Sequence, residues 1–264
     1  MARRAICAGF ALISACSAPS LLPDMQPGET GRVTRIIDGD ALVLDTGQSV
    51  RLVSIQAPAM YPREGVPAPY AGESARVLED LALGRRVQLY YPGVTRDRYD
   101  RALAHVVTVD GAGPRLWLNQ AMVERGAARV RLYPSTAARG QELLDLEAAA
   151  RSADEGLWTL RDYAVRDASE VTVEAGGFVL VEATLGERLP VDPEQRFAPA
   201  CLRALDGADI VVAIERAAAS TCGLGFGTRA LLRGWISEGA LELTHPWHVQ
   251  LVESAPPPPP LPEP

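Results

Sequence analysis

The sequence predicts a β-rich α+β protein of two successive units, the second a small closed barrel, and three observations predict it. Apolar and polar residues alternate between turn pairs through much of the chain. Helical spacing is confined to a few stretches before Gly156. The charge balance breaks after Arg166: residues 32–166 hold 18 Arg against 17 acids, a net +1, whereas 167–264 hold 6 Arg against 14 acids, a net −8. At 264 residues both units can bury a core. A hydrophobic content of 47% with 22% charged residues excludes wholesale disorder. All 26 basic residues are arginine, which reads as genome composition and carries no mechanistic weight.

In "MARRAICAGFALISACSAPS", Arg3 and Arg4 precede an apolar run from Ala5 to Ile13 and then small residues. That is a secretory signal over 1–16, too short to span a bilayer as a helix, which takes about 20 residues. Ile13-Ser14-Ala15-Cys16 resembles the bacterial lipobox, so Cys16 is the expected lipidation site and the membrane a partner through the lipid anchor. Ser17 is not a retention aspartate, which points to a periplasmic lipoprotein of the cell envelope, at the outer membrane. The stretch 17–31, punctuated by Pro and Gly from Leu21 on, reads as a tether.

Residues 32–166 form the first block. Val33 and Ile36-Ile37, the Asp38-Gly39 turn, Leu42 and Leu44, the Asp45-Thr46-Gly47 turn and Val50 to Ile55 make a β-meander. Tyr70–Leu83 switches to helical spacing with Gly84 as its stop. Strands follow at Arg86–Tyr91 and Ala102–Val109, then a helix at Leu118–Arg125 and another at Thr136–Asp154. Residues 167–253 form the second block, with strands at Phe178–Thr184, Ile210–Ile214, Arg229–Ile236, Leu241–Leu243 and Val249–Val252 joined by Gly-rich turns, the texture of a small barrel. Residues 254–264 are a polyproline tail, extended and disordered in expectation.

With export, Cys201 and Cys222 are an even pair in an oxidising compartment and a disulfide candidate; two buried thiols are the alternative. His245-Pro246-Trp247-His248 invites a metal reading, but its proline suggests a turn before a strand. Phe178, Phe226, Trp235 and Trp247 read as core residues. The acidic second unit lacks the basic groove that single-stranded nucleic acid needs, and a protein partner suits it better.

The first block contains "IDGDAL", then "VRLVSIQAP", then "RDRYDRALAHV", then "GAARV" and a closing "GLW". This series resembles the staphylococcal nuclease (thermonuclease) family over Gly31–Tyr163. The resemblance implies a thermonuclease-type OB barrel of five strands with three helices. The second unit's "TRALLRGWISEGALELTHPWHVQLV" is similar to the closing strands of another OB-like barrel.

Family enzymes cut DNA and RNA with Ca²⁺, held by two aspartates and a carbonyl, with a glutamate as general base and two arginines on the phosphate. By resemblance, Asp40 matches the first calcium aspartate, Arg51 and Arg101 match the phosphate clamp, and Asp97 and Tyr99 match the segment leading to Arg101. Four positions depart. Gln56 stands for the second calcium aspartate, Ala57 for the threonine after it, Ala59 for the glutamate base and Ala41 for a threonine after the DGD turn. Charge count tunes calcium affinity, and a general base contributes about 10²–10⁴ in rate. The expectation is therefore a degenerate site with Ca²⁺ weak or lost, acting as a phosphate- or nucleic-acid-binding or scaffolding module. The alternative is a slow phosphodiesterase recruiting Glu64 or Asp100 as substitute base. Converging arginines with only Asp40 nearby would mark a binding module; Arg101 turned into an ion pair with Asp97 or Asp100 would mark a scaffold.

Overall fold

The computed structural model describes residues 20–62, 65–111, 113–172, 176–192 and 198–252. The signal segment 1–16 with Cys16, the candidate base Glu64 and the tail 254–264 lie outside these residues.

The first unit contains β1 (Gln26–Asp38), β2 (Ala41–Leu44), β3 (Ser49–Leu52), β4 (Ile55–Gln56), α1 (Ala71–Ala82), β5 (Arg86–Tyr91), β6 (Ala102–Thr108), α2 (Leu118–Glu124), β7 (Arg129–Val130) and α3 (Gly140–Ser152). The second contains β8 (Arg166–Asp167), β9 (Gly177–Leu189), β10 (Cys201–Leu205), β11 (Val211–Ile214), β12 (Arg229–Ser237), β13 (Ala240–Leu243) and β14 (Val249–Leu251). The first barrel closes in the order β1-β2-β3-β6-β5, with β3 and β6 parallel (Val50↔Ala102, Leu52↔Ala104). In the second, β9-β10-β11-β13-β12 closes where β12 returns to β9, from Arg229↔Thr184 to Ile236↔Gly177. There β11 and β13 are the parallel pair. Both are therefore five-stranded closed barrels of one connectivity, first-second-third-fifth-fourth, each with a single parallel seam.

Helical spacing works as expected in α1: Ala71, Ser74, Leu78, Leu81 and Ala82 are buried, and the helix lies against β1. Ser74 Oγ donates to the Ala127 carbonyl at 2.7 Å. The last helix starts at Gly140, four residues later than its spacing suggested, after Arg139 in the left-handed region at φ 60°.

The expected boundaries need correction. The tether over 17–31 is largely part of the barrel: Leu22 and Met25 lie in the first core and β1 begins at Gln26. Its Pro27-Gly28 punctuation is a bulge, because the register against β5 shifts between Pro27 and Thr30. The boundary after Arg166 cuts β8, whose two residues both pair with β9. The strand at Cys201–Leu205 was not among the expected ones because the middle of its three inward residues, Cys201, Arg203 and Leu205, is charged. Arg203, 2% exposed, donates to the carbonyls of Gly186, Leu224 and Gly225, so its charge is hydrogen-bonded and it sits in an apolar phase. Cys201 and Cys222 are joined by a disulfide with Cα atoms 6.2 Å apart.

The barrels are docked. Along β12, Ala230, Leu232 and Ile236 face the second core, while Leu231, Arg233 and Trp235 take the opposite phase. Leu231 packs with Phe178 and Leu180 against Ala150, Leu157, Trp158 and Tyr163 of the first unit. Arg233 Nη1 meets Glu147 Oε2 at 2.6 Å, both side chains fully buried, and Glu147 Oε1 accepts from Val130 N at 2.7 Å. His248 Nε2 accepts from Leu132 N at 3.3 Å, and His245 Nδ1 from Trp247 N at 3.2 Å, so both imidazoles serve the backbone. Among the four aromatics expected in a core, Phe178 is buried, Trp235 and Trp247 are 38% and 39% exposed, and Phe226 is 77% exposed.

Candidate anion site

The β1–β2 turn carries Asp38-Gly39-Asp40. A side chain at Gly39 would collide with Ser74 and Ala57, so the turn needs glycine for close approach. Asp40 is 1% exposed. Its Oδ2 accepts from Ala57 N at 2.8 Å, and its Oδ1 lies 2.7 Å from Arg51 Nη1, an ion pair outside hydrogen-bond geometry. Burial pushes the Asp40 carboxyl up to about 8, against the pull of Arg51 and with a smaller upward push from Asp38.

Arg51 lies between the inward residues Val50 and Leu52 of β3, so it points out of the barrel. The parallel seam sets it beside Leu103 in β6, two residues after Arg101. Arg101 Nε donates to Asp97 Oδ2 at 2.7 Å, and Asp97 Oδ1 accepts from the backbones of Tyr99 and Arg101. Desolvation raises the Asp97 carboxyl, but these hydrogen bonds outweigh it and hold it below the ordinary aspartate value.

Arg51, Arg101 and Asp97 line one cavity of about 590 Å³ together with Arg131, Tyr133 and Ser135. The two arginines thus share one cavity while Arg101 is also paired with Asp97, so features expected of a binding module and of a scaffold occur together. Asp100 is elsewhere: it is exposed, 3.8 Å from Arg96, and it borders a separate surface depression with Glu29 and Tyr99. Ala59 is exposed and lines a groove between the barrels.

Arg131 and Tyr133 were missed by sequence reasoning. The available signal was the alternation Arg129-Val130-Arg131 at the strand following "GAA", which sends two arginines to the face opposite Val130. Arg131 Nη1 donates to Gln56 Oε1 at 2.6 Å. Burial lowers its pKa.

The residues present do not fit a calcium ion. Calcium takes six to eight oxygens, carboxylates foremost. Here one Asp40 oxygen faces a guanidinium, the other accepts an N–H, and the Gln56 oxygen is engaged by Arg131. Among the described residues no three His, Cys, Asp or Glu side chains come together as a metal-binding group.

Residues 49–160 match the family model described as "Staphylococcal nuclease homologue". The chain is similar to a thermonuclease of Staphylococcus intermedius, 31% identical over 110 residues, which is 40% of this chain and 62% of that protein. It is also similar to a thermonuclease of Staphylococcus hyicus, 24% identical over 134 residues, 50% of this chain and 76% of that protein. The chain thus spans less than two thirds of the first relative's length. The family match contains Arg51, Gln56, Arg101 and Arg131, begins after Asp40, and ends before β8.

Proposed function

We propose that the first unit, a domain of the staphylococcal nuclease family, holds a phosphate or phosphodiester of nucleic acid between Arg51 and Arg101 without calcium-dependent hydrolysis. The observation that carries this is the pairing of Gln56 with Arg131 at 2.6 Å, where the family pattern has a calcium carboxylate. A guanidinium there repels a cation and attracts an anion. Arg51 and Arg101 offer planar forks suited to phosphate oxygens. Ala59 stands at the position of the base, and the carboxylates paired with the two arginines are engaged: Asp40 is buried and held by Arg51, and Asp97 by Arg101.

We further propose that the protein is exported and anchored through lipid on Cys16 in the bacterial envelope, on its periplasmic side and at the outer membrane. The signal pattern and the Cys201–Cys222 pair, which suits an oxidising compartment, support this. The acidic second unit then serves scaffolding toward a protein partner.

The test is hydrolysis and binding of single-stranded DNA by the chain from Ser17 onward, with and without Ca²⁺. Expected are binding that Arg51→Ala with Arg101→Ala abolishes, and no cutting above that of an Asp40→Ala, Arg51→Ala control. Calcium-dependent cutting that the control lacks would overturn the degenerate reading and turn attention to Glu64.

A further inference from the structure

Resting on that phosphate-binding reading, we propose that the second barrel completes the anion pocket of the first: Trp235 and Phe178 are positioning residues that hold Arg131 as a third guanidinium beside Arg51 and Arg101. The family match ends at residue 160, so this contribution comes from outside the nuclease-like domain.

The chain first fixes where Arg131 starts. Its backbone N donates to the Ser54 carbonyl at 3.0 Å, at the tight turn between β3 and β4. The side chain then reaches toward the second barrel. Phe178 and Trp235 are directly opposed in the β9–β12 ladder, so both rings stand on the same outer face. The Arg131 guanidinium lies 5.0 Å from the Trp235 ring centroid, 5.7 Å from that of Phe178, and 4.9 Å from Tyr133 on its own loop. These are cation–π distances.

The arrangement does two things. Holding a long arginine between three rings removes rotamer freedom before any ligand arrives, so less is lost on binding. It also aims the charge: Gln56 takes Nη1, and no hydrogen bond within the described residues engages Nε or Nη2. Three guanidiniums then face one cavity in which Asp97 is paired with Arg101 and Asp40 sits buried behind Arg51. The excess of positive charge suits a phosphate group. The platform itself is stable because Phe178 is packed on its other side, where its carbonyl accepts from Arg129 Nη1 at 2.7 Å and its ring lies 5.1 Å from that guanidinium.

The experiment measures polarisation of a fluorescein-labelled oligothymidylate with the chain from Ser17 onward. Arg131→Ala is expected to weaken binding about ten- to a hundredfold, the loss of one charged hydrogen-bonding group. Trp235→Leu, which keeps apolar bulk and removes the π-face, should weaken it roughly three- to tenfold, and Trp235→Phe should restore it. In an Arg131→Ala background, Trp235→Leu should change nothing further. If Arg131→Ala binds like wild type while Arg51→Ala with Arg101→Ala does not, this proposal is overturned and the two-arginine clamp stands. Loss of probe binding by Trp235→Leu that persists unchanged in Trp235→Phe and in the Arg131→Ala background marks Trp235 as structural and also overturns it. A wild type that does not bind the probe sinks the phosphate-binding reading, and a ligand-free readout then decides the positioning. Phenylglyoxal should modify Arg131 more slowly in wild type and Trp235→Phe than in Trp235→Leu; equal rates refute it.

Discussion

The two barrels share one strand order and differ in what their outer faces meet. Outside the first barrel's parallel seam, Arg51, Arg101 and Arg131 border an open cavity. Outside the second barrel's closing ladder, Leu180, Leu231 and Arg233 are buried against the first unit. Connectivity therefore does not assign function, which lies in the side chains that each topology presents outward. The same phase of a strand that carries a cavity-lining arginine in one barrel carries a docking arginine in the other.

The largest expected effect breaks that docking. Glu147 and Arg233 are both fully buried at 2.6 Å, and Arg151 lies 3.9 Å from the same carboxylate, so removing Glu147 leaves Arg233 as an uncompensated buried charge. Glu147→Ala should destabilise by about 3–5 kcal/mol in urea unfolding, whereas Glu147→Leu with Arg233→Met should recover most of the loss. A single substitution costing under about 1 kcal/mol would show that the barrels do not depend on this pair. The second effect separates the barrels. Cys201 and Cys222 are 21 residues apart, so Cys201→Ala with Cys222→Ala should cost about 3 kcal/mol through the unfolded state. Hydrogen exchange should then rise in β10 and β11 and leave β1–β3 unchanged. Equal loosening of both barrels would mean that they unfold as one unit.

How much of this was legible in the sequence differs by barrel in the same way. The alternation and turn residues of the first unit placed most of its strands, because one face is buried and the other solvated. In the second unit "LLRG" (residues 231–234) is buried on both phases, Leu232 inward and Leu231 and Arg233 outward, so alternation gave a strand without its partner. Arg203, inward at 2% exposure, hid β10 altogether. At the site, Asp40, Arg51 and Arg101 were legible through a motif. Arg131 was not, because what makes it part of the pocket is a pair of rings from beyond residue 170, a contact of long sequence separation.

Asp40 gives the third effect, confined to the first barrel. Its folded pKa, about 8, lies above the ordinary unfolded value near 3.9. The folded state therefore holds the extra proton between these values, and stability is greatest below the lower one and falls as pH rises toward the upper. The loss should be about 2 kcal/mol between about pH 6 and pH 8, and Asp40→Asn should flatten it. His248 runs the opposite way: burial holds its imidazole down to about 3, with Arg233 adding to the effect, so its contribution is lost as pH falls below the ordinary histidine range. An Asp40→Asn protein that keeps the full alkaline slope would refute the assignment to this carboxyl.

The smallest expected effect tests the proposed lack of a calcium site. If missing carboxylates alone account for it, Gln56→Asp with Ala59→Glu should give a calcium response. The geometry argues otherwise, because Arg131 sits 2.6 Å from the position 56 side chain and Arg51 sits 2.7 Å from Asp40. A new aspartate would pair with Arg131 and stay neutralised. The double substitution should therefore show no shift in Tm with CaCl2, and adding Arg131→Ala should expose a weak site that raises stability by about 1 kcal/mol when calcium is a few times its Kd. A calcium response with Arg131 still present would mean that the guanidinium is a bystander. Its absence there and its appearance on removing Arg131 would mean that the aromatic platform of the second barrel holds the group that keeps the first from being a calcium site.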